Sequence, residues 1–78
     1  MDKVKELVKE LEYRLFLAEY MPSFKEVYLS YAEETLKELE KTGVSHQEIL
    51  EIASELFKDD EDSYLRVQDF LMEKEEGQ

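Results

Sequence analysis

Residues 42–49 read Thr42-Gly43-Val44-Ser45-His46-Gln47-Glu48-Ile49, a helix stop followed at once by a helix start. Gly43 is the residue type that accepts the left-handed backbone found just past a helix C-terminus. Two residues on, Ser45 and Glu48 stand at the spacing of a capping box, in which each side chain bonds the other's backbone N–H. Val44 and Ile49 occupy the two positions of a hydrophobic staple. Beyond this start Ile49, Ile52, Ala53, Leu56 and Phe57 recur at helical spacing, with Glu51, Glu55 and Lys58 opposite, which predicts a helix to about Lys58.

Working towards the N-terminus, an apolar arc of Phe24, Val27, Tyr28, Tyr31, Ala32, Leu36 and Leu39 predicts a helix ending near Lys41. Ser23 and Glu26 form a second candidate capping box at its start. Pro22 bars the preceding residue from helical geometry, so an earlier helix, with Asp2 as a candidate cap, ends at about Met21. Working towards the C-terminus, Asp59-Asp60-Glu61-Asp62 offers a cap and negative charge at the positive end of a fourth helix. That helix carries Tyr64, Val67 and Leu71 on one side, with Leu65, Phe70 and Met72 widening the stripe. Glu75 and Glu76 suit the negative end of a helix dipole badly, so fraying is expected near Lys74, with residues 75–78 a disordered tail. No stretch alternates apolar and polar residues long enough to be a strand. The expectation is an all-α fold: one acidic domain over residues 1–74, a small antiparallel four-helix bundle of two long and two shorter helices.

Composition excludes several functions. The chain has 78 residues, 10 Lys and Arg against 21 Asp and Glu, and a net charge of −11, the wrong sign for binding a phosphate backbone directly. Without cysteine there are no disulfides, thiolate metal sites or cysteine nucleophiles. The longest apolar run, Leu15 to Ala18, is far too short for a membrane span or a signal peptide, so a cytoplasmic protein is expected (in the host cytoplasm if viral).

Two features stand out as functional candidates. On the first helix Val4, Leu7, Val8, Leu11, Leu15 and Ala18 form one stripe, while Tyr13, Phe16, Leu17 and Tyr20 form a second at i, i+3, i+4, i+7, centred on the opposite side. Either the helix runs through the centre of the bundle and is covered all round, or the second stripe is an exposed aromatic patch for a partner or a second copy. The acidic excess is also uneven. Residues 1–44 hold ten acidic side chains against seven basic ones, 45–58 three against one, and 59–78 eight against two. Asp59, Asp60, Glu61, Asp62, Asp69 and Glu73 make the last stretch an acidic surface, offset on the fourth helix mainly by Arg66. This surface serves solubility, or it docks on a basic groove of another protein, including one built for nucleic acid. The i,i+4 pairs Glu10/Arg14 and Glu33/Lys37 read as ordinary solvated faces.

Sharper chemistry fails on inspection. The turn at Gly43 imitates a helix-turn-helix, but His46-Gln47-Glu48-Ile49-Leu50-Glu51 brings no cation to DNA. A calcium loop opening at Asp60 places Leu65 where glycine belongs and Leu71 where the bidentate glutamate belongs; opening at Asp59 places Tyr64 and Phe70 there. One histidine cannot supply a di-metal carboxylate bundle. His46 lies in the first turn of a helix, whose dipole disfavours its charged form, and no serine has an adjacent histidine. No residue is therefore assigned to catalysis, a cofactor or a metal. In size, charge and helicity the chain resembles the small acidic inhibitors that phages direct against host proteins, some of which mimic nucleic acid. That resemblance covers no motif, and it implies a host-takeover factor. The function expected is a non-catalytic regulator or inhibitor that docks on another protein through the aromatic patch and the acidic helix. The alternative is a structural homo-oligomer with no foreign partner. Neither reading involves a membrane or a nucleic acid.

Overall fold

The computed structural model describes residues 2–77 and places four α-helices in succession, with no strand among the described residues. They are α1 (Asp2–Tyr20), α2 (Lys25–Lys41), α3 (His46–Leu56) and α4 (Glu61–Glu76), and a 3-10 turn over Pro22–Phe24 joins the first two. The chain is thus the all-α four-helix bundle expected, although α4, at 16 residues, nearly matches α2 at 17 and only α3 is short. The capping role expected of the Asp2 side chain, and Gln78 of the expected tail, lie outside the described residues.

The joints follow local chemistry with one exception. Gly43 has φ +95°, and the Thr42 and Gly43 N–H groups donate to the carbonyls of Leu39 and Glu40 as α2 ends. The Ser45 capping box is complete: the Glu48 N–H donates to Ser45 Oγ at 3.1 Å and the Ser45 N–H donates to Glu48 Oε1 at 2.8 Å. Val44 packs against the core beside buried Ile49, as a hydrophobic staple requires. Asp60 caps α4, taking the Ser63 N–H at 3.3 Å and the Ser63 hydroxyl at 2.9 Å. The exception is Ser23. It sits within the 3-10 turn and makes no capping bond, and α2 starts two residues later behind Phe24, also without a side-chain cap. Pro22 explains this: it breaks helical geometry at Met21 (φ −128°, ψ 74°) but starts the 3-10 turn itself. Ser23 therefore lacks the extended backbone that a capping serine needs.

The end of α4 also departs from expectation. The helix runs through Glu75 to Glu76 and closes on Gly77, whose N–H donates to the Glu73 carbonyl at 2.9 Å. Tertiary partners override the unfavourable dipole. Glu75 meets the His46 ring at 3.0 Å, and Lys74 reaches across to Glu33 of α2. Glu33 thus pairs between helices rather than with Lys37.

Helix α1 is the hub, packing on α2, α3 and α4, while α2 makes no backbone approach within 8 Å to α3 or α4 among the described residues. Its Leu7, Val8, Leu11 and Leu15 join Ala32, Leu36 and Leu39 of α2, Ile49 and Ala53 of α3, and Val67, Phe70 and Leu71 of α4 in one core. Burial of each large member contributes about 1.5–3 kcal/mol. Two apolar arcs prove narrower than the sequence implies. Leu65 and Met72 are exposed on α4, and Val27 and Tyr31 on α2, with Phe24 exposed just before it, because a helix with core on one side buries only about a third of its circumference.

Candidate protein-docking surface

The second stripe of α1 faces outwards, away from the three helices that cover Leu7, Val8, Leu11 and Leu15. Tyr13 is 56% exposed, Tyr20 61% and Phe16 36%, and Leu17 is half-buried. A hub helix with three neighbours is still covered on only one side, since all three pack against the same stripe. Arg66 of α4 holds one edge of the aromatic set. Its Nε donates to Glu19 at 2.6 Å and its Nη1 to Glu12 at 2.9 Å, and its guanidinium lies 5.1 Å from the Phe16 ring centre and 5.8 Å from that of Tyr20. The two rings are 4.5 Å apart. Such a clasp pre-orders the rings and lowers the entropy that a partner must remove. Burial works against the Arg66 charge, but the Glu19 and Glu12 carboxylates outweigh it and raise its already high pKa.

Sequence reasoning missed how far this surface extends. Met21, Phe24, Val27 and Tyr31 are also exposed. The guanidinium of Arg14 of α1, bonded to Glu10 at 2.8 Å, lies 5.1 Å from the Tyr31 ring of α2. A signal was present: Phe24, Val27, Tyr28 and Tyr31 stand at i, i+3, i+4, i+7, offset from the buried set of Ala32, Leu36 and Leu39. Helix α2 thus repeats the double stripe of α1.

The acidic residues divide into two places. Asp59, Asp60 and Glu61 cluster at the α3–α4 turn, where Asp60 is occupied as a cap and bonding from Ser63 holds its carboxyl below the usual range. Asp62, Asp69 and Glu73 instead line one wall of an open groove of about 800 Å³. All three are exposed. The groove's other lining includes Leu15, Ala18 and Tyr20 of α1, Lys25 and Leu29 of α2, and Phe70 of α4. Arg66, expected to offset these acids, is already held by two carboxylates of α1, so the wall is more negative than the sequence of α4 suggests.

His46 differs from expectation. Its Nε2 faces Glu40 and its Nδ1 faces Glu75, each at 3.0 Å. Hydrogen bonding to Glu40 leads in raising its pKa above 6.5; burial opposes this and Glu75 adds to it. Two carboxylates outweigh the helix dipole. Among the described residues no group of three or more His, Asp or Glu is arranged to hold a metal ion, and no helix is long and apolar enough to cross a membrane. No protein-family model, curated protein or solved structure matches the chain.

Proposed function

We propose that this chain is a non-catalytic protein–protein interaction module, a regulator or inhibitor that docks on a partner carrying a basic surface. The observation that carries this reading is the outward aromatic stripe of α1: Tyr13, Phe16 and Tyr20 are exposed although the core closes without them. Aromatic side chains held by an arginine clasp are typical anchors of an interface, and the charge of −11 steers the module towards basic partners. The test is capture from native lysate at low and high salt, with Tyr13→Ser/Phe16→Ser beside the unchanged chain. A specific partner lost in the variant and weakened by salt supports the reading. Capture indifferent to both changes removes it.

A homo-oligomer is the second reading. It is favoured by further exposed apolar side chains at Phe24, Val27 and Tyr31, which add apolar surface that a second copy can cover. Sedimentation separates the two. A concentration-independent dimer that becomes monomeric on Tyr13→Glu or Leu17→Glu supports self-association, and a monomer at high concentration leaves the face to a foreign partner.

A further inference from the structure

The groove beside α4 adjoins the outward stripe at Tyr20, but Tyr13, Phe16 and Leu17 lie outside it. Its floor includes Leu15, Ala18 and Phe70, which are nearly covered, with half-buried Leu29 and exposed Leu65 supplying its accessible apolar surface. It exists because α2 and α4 flank α1 without approaching each other. α3 packs on α1 and α4 but contributes nothing to this groove's lining. The core is only thinly covered here. The Lys74 to Glu33 ion pair ties α4 to α2 just beyond the groove residues Glu73 and Leu29, so the mouth lies towards Pro22 and Asp62.

Charge selects the occupant. Asp62, Asp69 and Glu73 lie at i, i+7 and i+11 of α4, a row with steps of about 10 Å and 6 Å along the helix. None of the three is in a salt bridge among the described residues. Arg66 lines the groove on this same wall, between Asp62 and Asp69, but is paired with Glu12 and Glu19, and the facing wall carries Lys25. An elongated trough with an apolar floor and one acidic wall is the complement of a helix that is apolar on one side and basic along one flank. A rise of 1.5 Å per residue lets cations on such a helix keep step with the carboxylates of α4. We propose that this groove receives a basic amphipathic helix of the partner protein, its apolar side chains on Leu29 and Leu65 above the covered core and its Lys or Arg side chains against Asp62, Asp69 and Glu73. The proposal rests on the interaction-module reading and names the chemistry of the partner segment.

The test uses the full chain, isotope-labelled for NMR, and a synthetic amphipathic peptide of about five helical turns built from Leu and Lys. A matched peptide with Glu for every Lys, and a scrambled peptide of the same composition, serve as controls. Asp69→Lys/Glu73→Lys removes charge from the groove wall, and Glu51→Lys/Glu55→Lys makes the same change in net charge on the exposed side of α3. At physiological salt the Leu/Lys peptide binds with shift changes at Ala18, Leu29 and Leu65. The groove pair weakens it by about tenfold or more, whereas the α3 pair changes it by less than about threefold. Equal loss in the two double variants overturns the proposal, as does equal binding of the scrambled peptide, since either means that net charge alone attracts. Shift changes confined to Tyr13 and Tyr31 also overturn it while leaving the interaction-module reading intact. That reading falls separately, on the salt and Tyr13→Ser/Phe16→Ser capture, since neither residue lines the groove.

Discussion

His46 of α3 links two other helices, since its ring meets Glu40 of α2 and Glu75 of α4. A neutral imidazole carries one donor and one acceptor, whereas both of its ring nitrogens face carboxylate oxygens, so only the imidazolium satisfies both. Because the folded pKa is raised above 6.5, the stabilisation is fully present below the unfolded value and is lost as pH rises through the folded value. The melting temperature of the chain should therefore exceed that of His46→Gln most clearly below about pH 6 and converge with it in mildly alkaline buffer. A gap that stays constant across that range, followed by thermal circular dichroism, would show that protonation of His46 does not stabilise the fold. Glu40 and Glu75 are 35 positions apart in the chain, and no local pattern announces that they share an imidazole.

Helix ends vary in how well the chain announces them. Ser45 and Glu48 close a four-residue loop of hydrogen bonds whose partners are all local, so their spacing was enough to place the start of α3. Ser45→Ala removes one of those bonds and should lower stability by about 1 kcal/mol, read from the urea midpoint, with Ser45→Asp restoring most of it. No loss in the alanine variant would mean that the box is incidental to α3. Ser23 and Glu26 have the same spacing without the same result, because the 3-10 turn begun by Pro22 takes Ser23 out of capping geometry. The far end of α4 was misread for the opposite reason. Dipole arithmetic predicts fraying at Glu75, but that arithmetic omits His46 and Glu33, which no i,i+4 rule can see.

At the scale of the whole molecule, the contrast is between apolar residues that hold the fold together and apolar residues that only cover it. Leu11 is wholly buried where α1 meets its neighbours, and Leu11→Ala should cost about 3 kcal/mol, a large share of the roughly 5–15 kcal/mol that stabilises a small domain. Tyr13, two residues away and of larger volume, faces outwards, and Tyr13→Ser should change stability by less than about 0.5 kcal/mol. Denaturant titration of both variants checks the pair. A comparable loss from Tyr13→Ser would mean that the second stripe packs in solution, and the docking reading would lose its support. The two stripes of α1 are legible from spacing alone, but spacing treats them alike. Only the position of three neighbouring helices on one side decides which is core.

Sequence alone determined the number of helices, the joint at Gly43 and Ser45, the break at Pro22, a cap within Asp59–Asp62 and the core face of α3. Each of these depends on residues within about two turns of one another, where backbone sterics and local hydrogen bonds act. Tertiary structure decided which aromatic stripes stay open, where Arg66 and His46 find their carboxylates, and that α2 and α4 diverge to leave a groove. Those outcomes depend on the angles at which helices cross, and crossing angles arise from side-chain shape summed over the whole core, which no short window of residues contains.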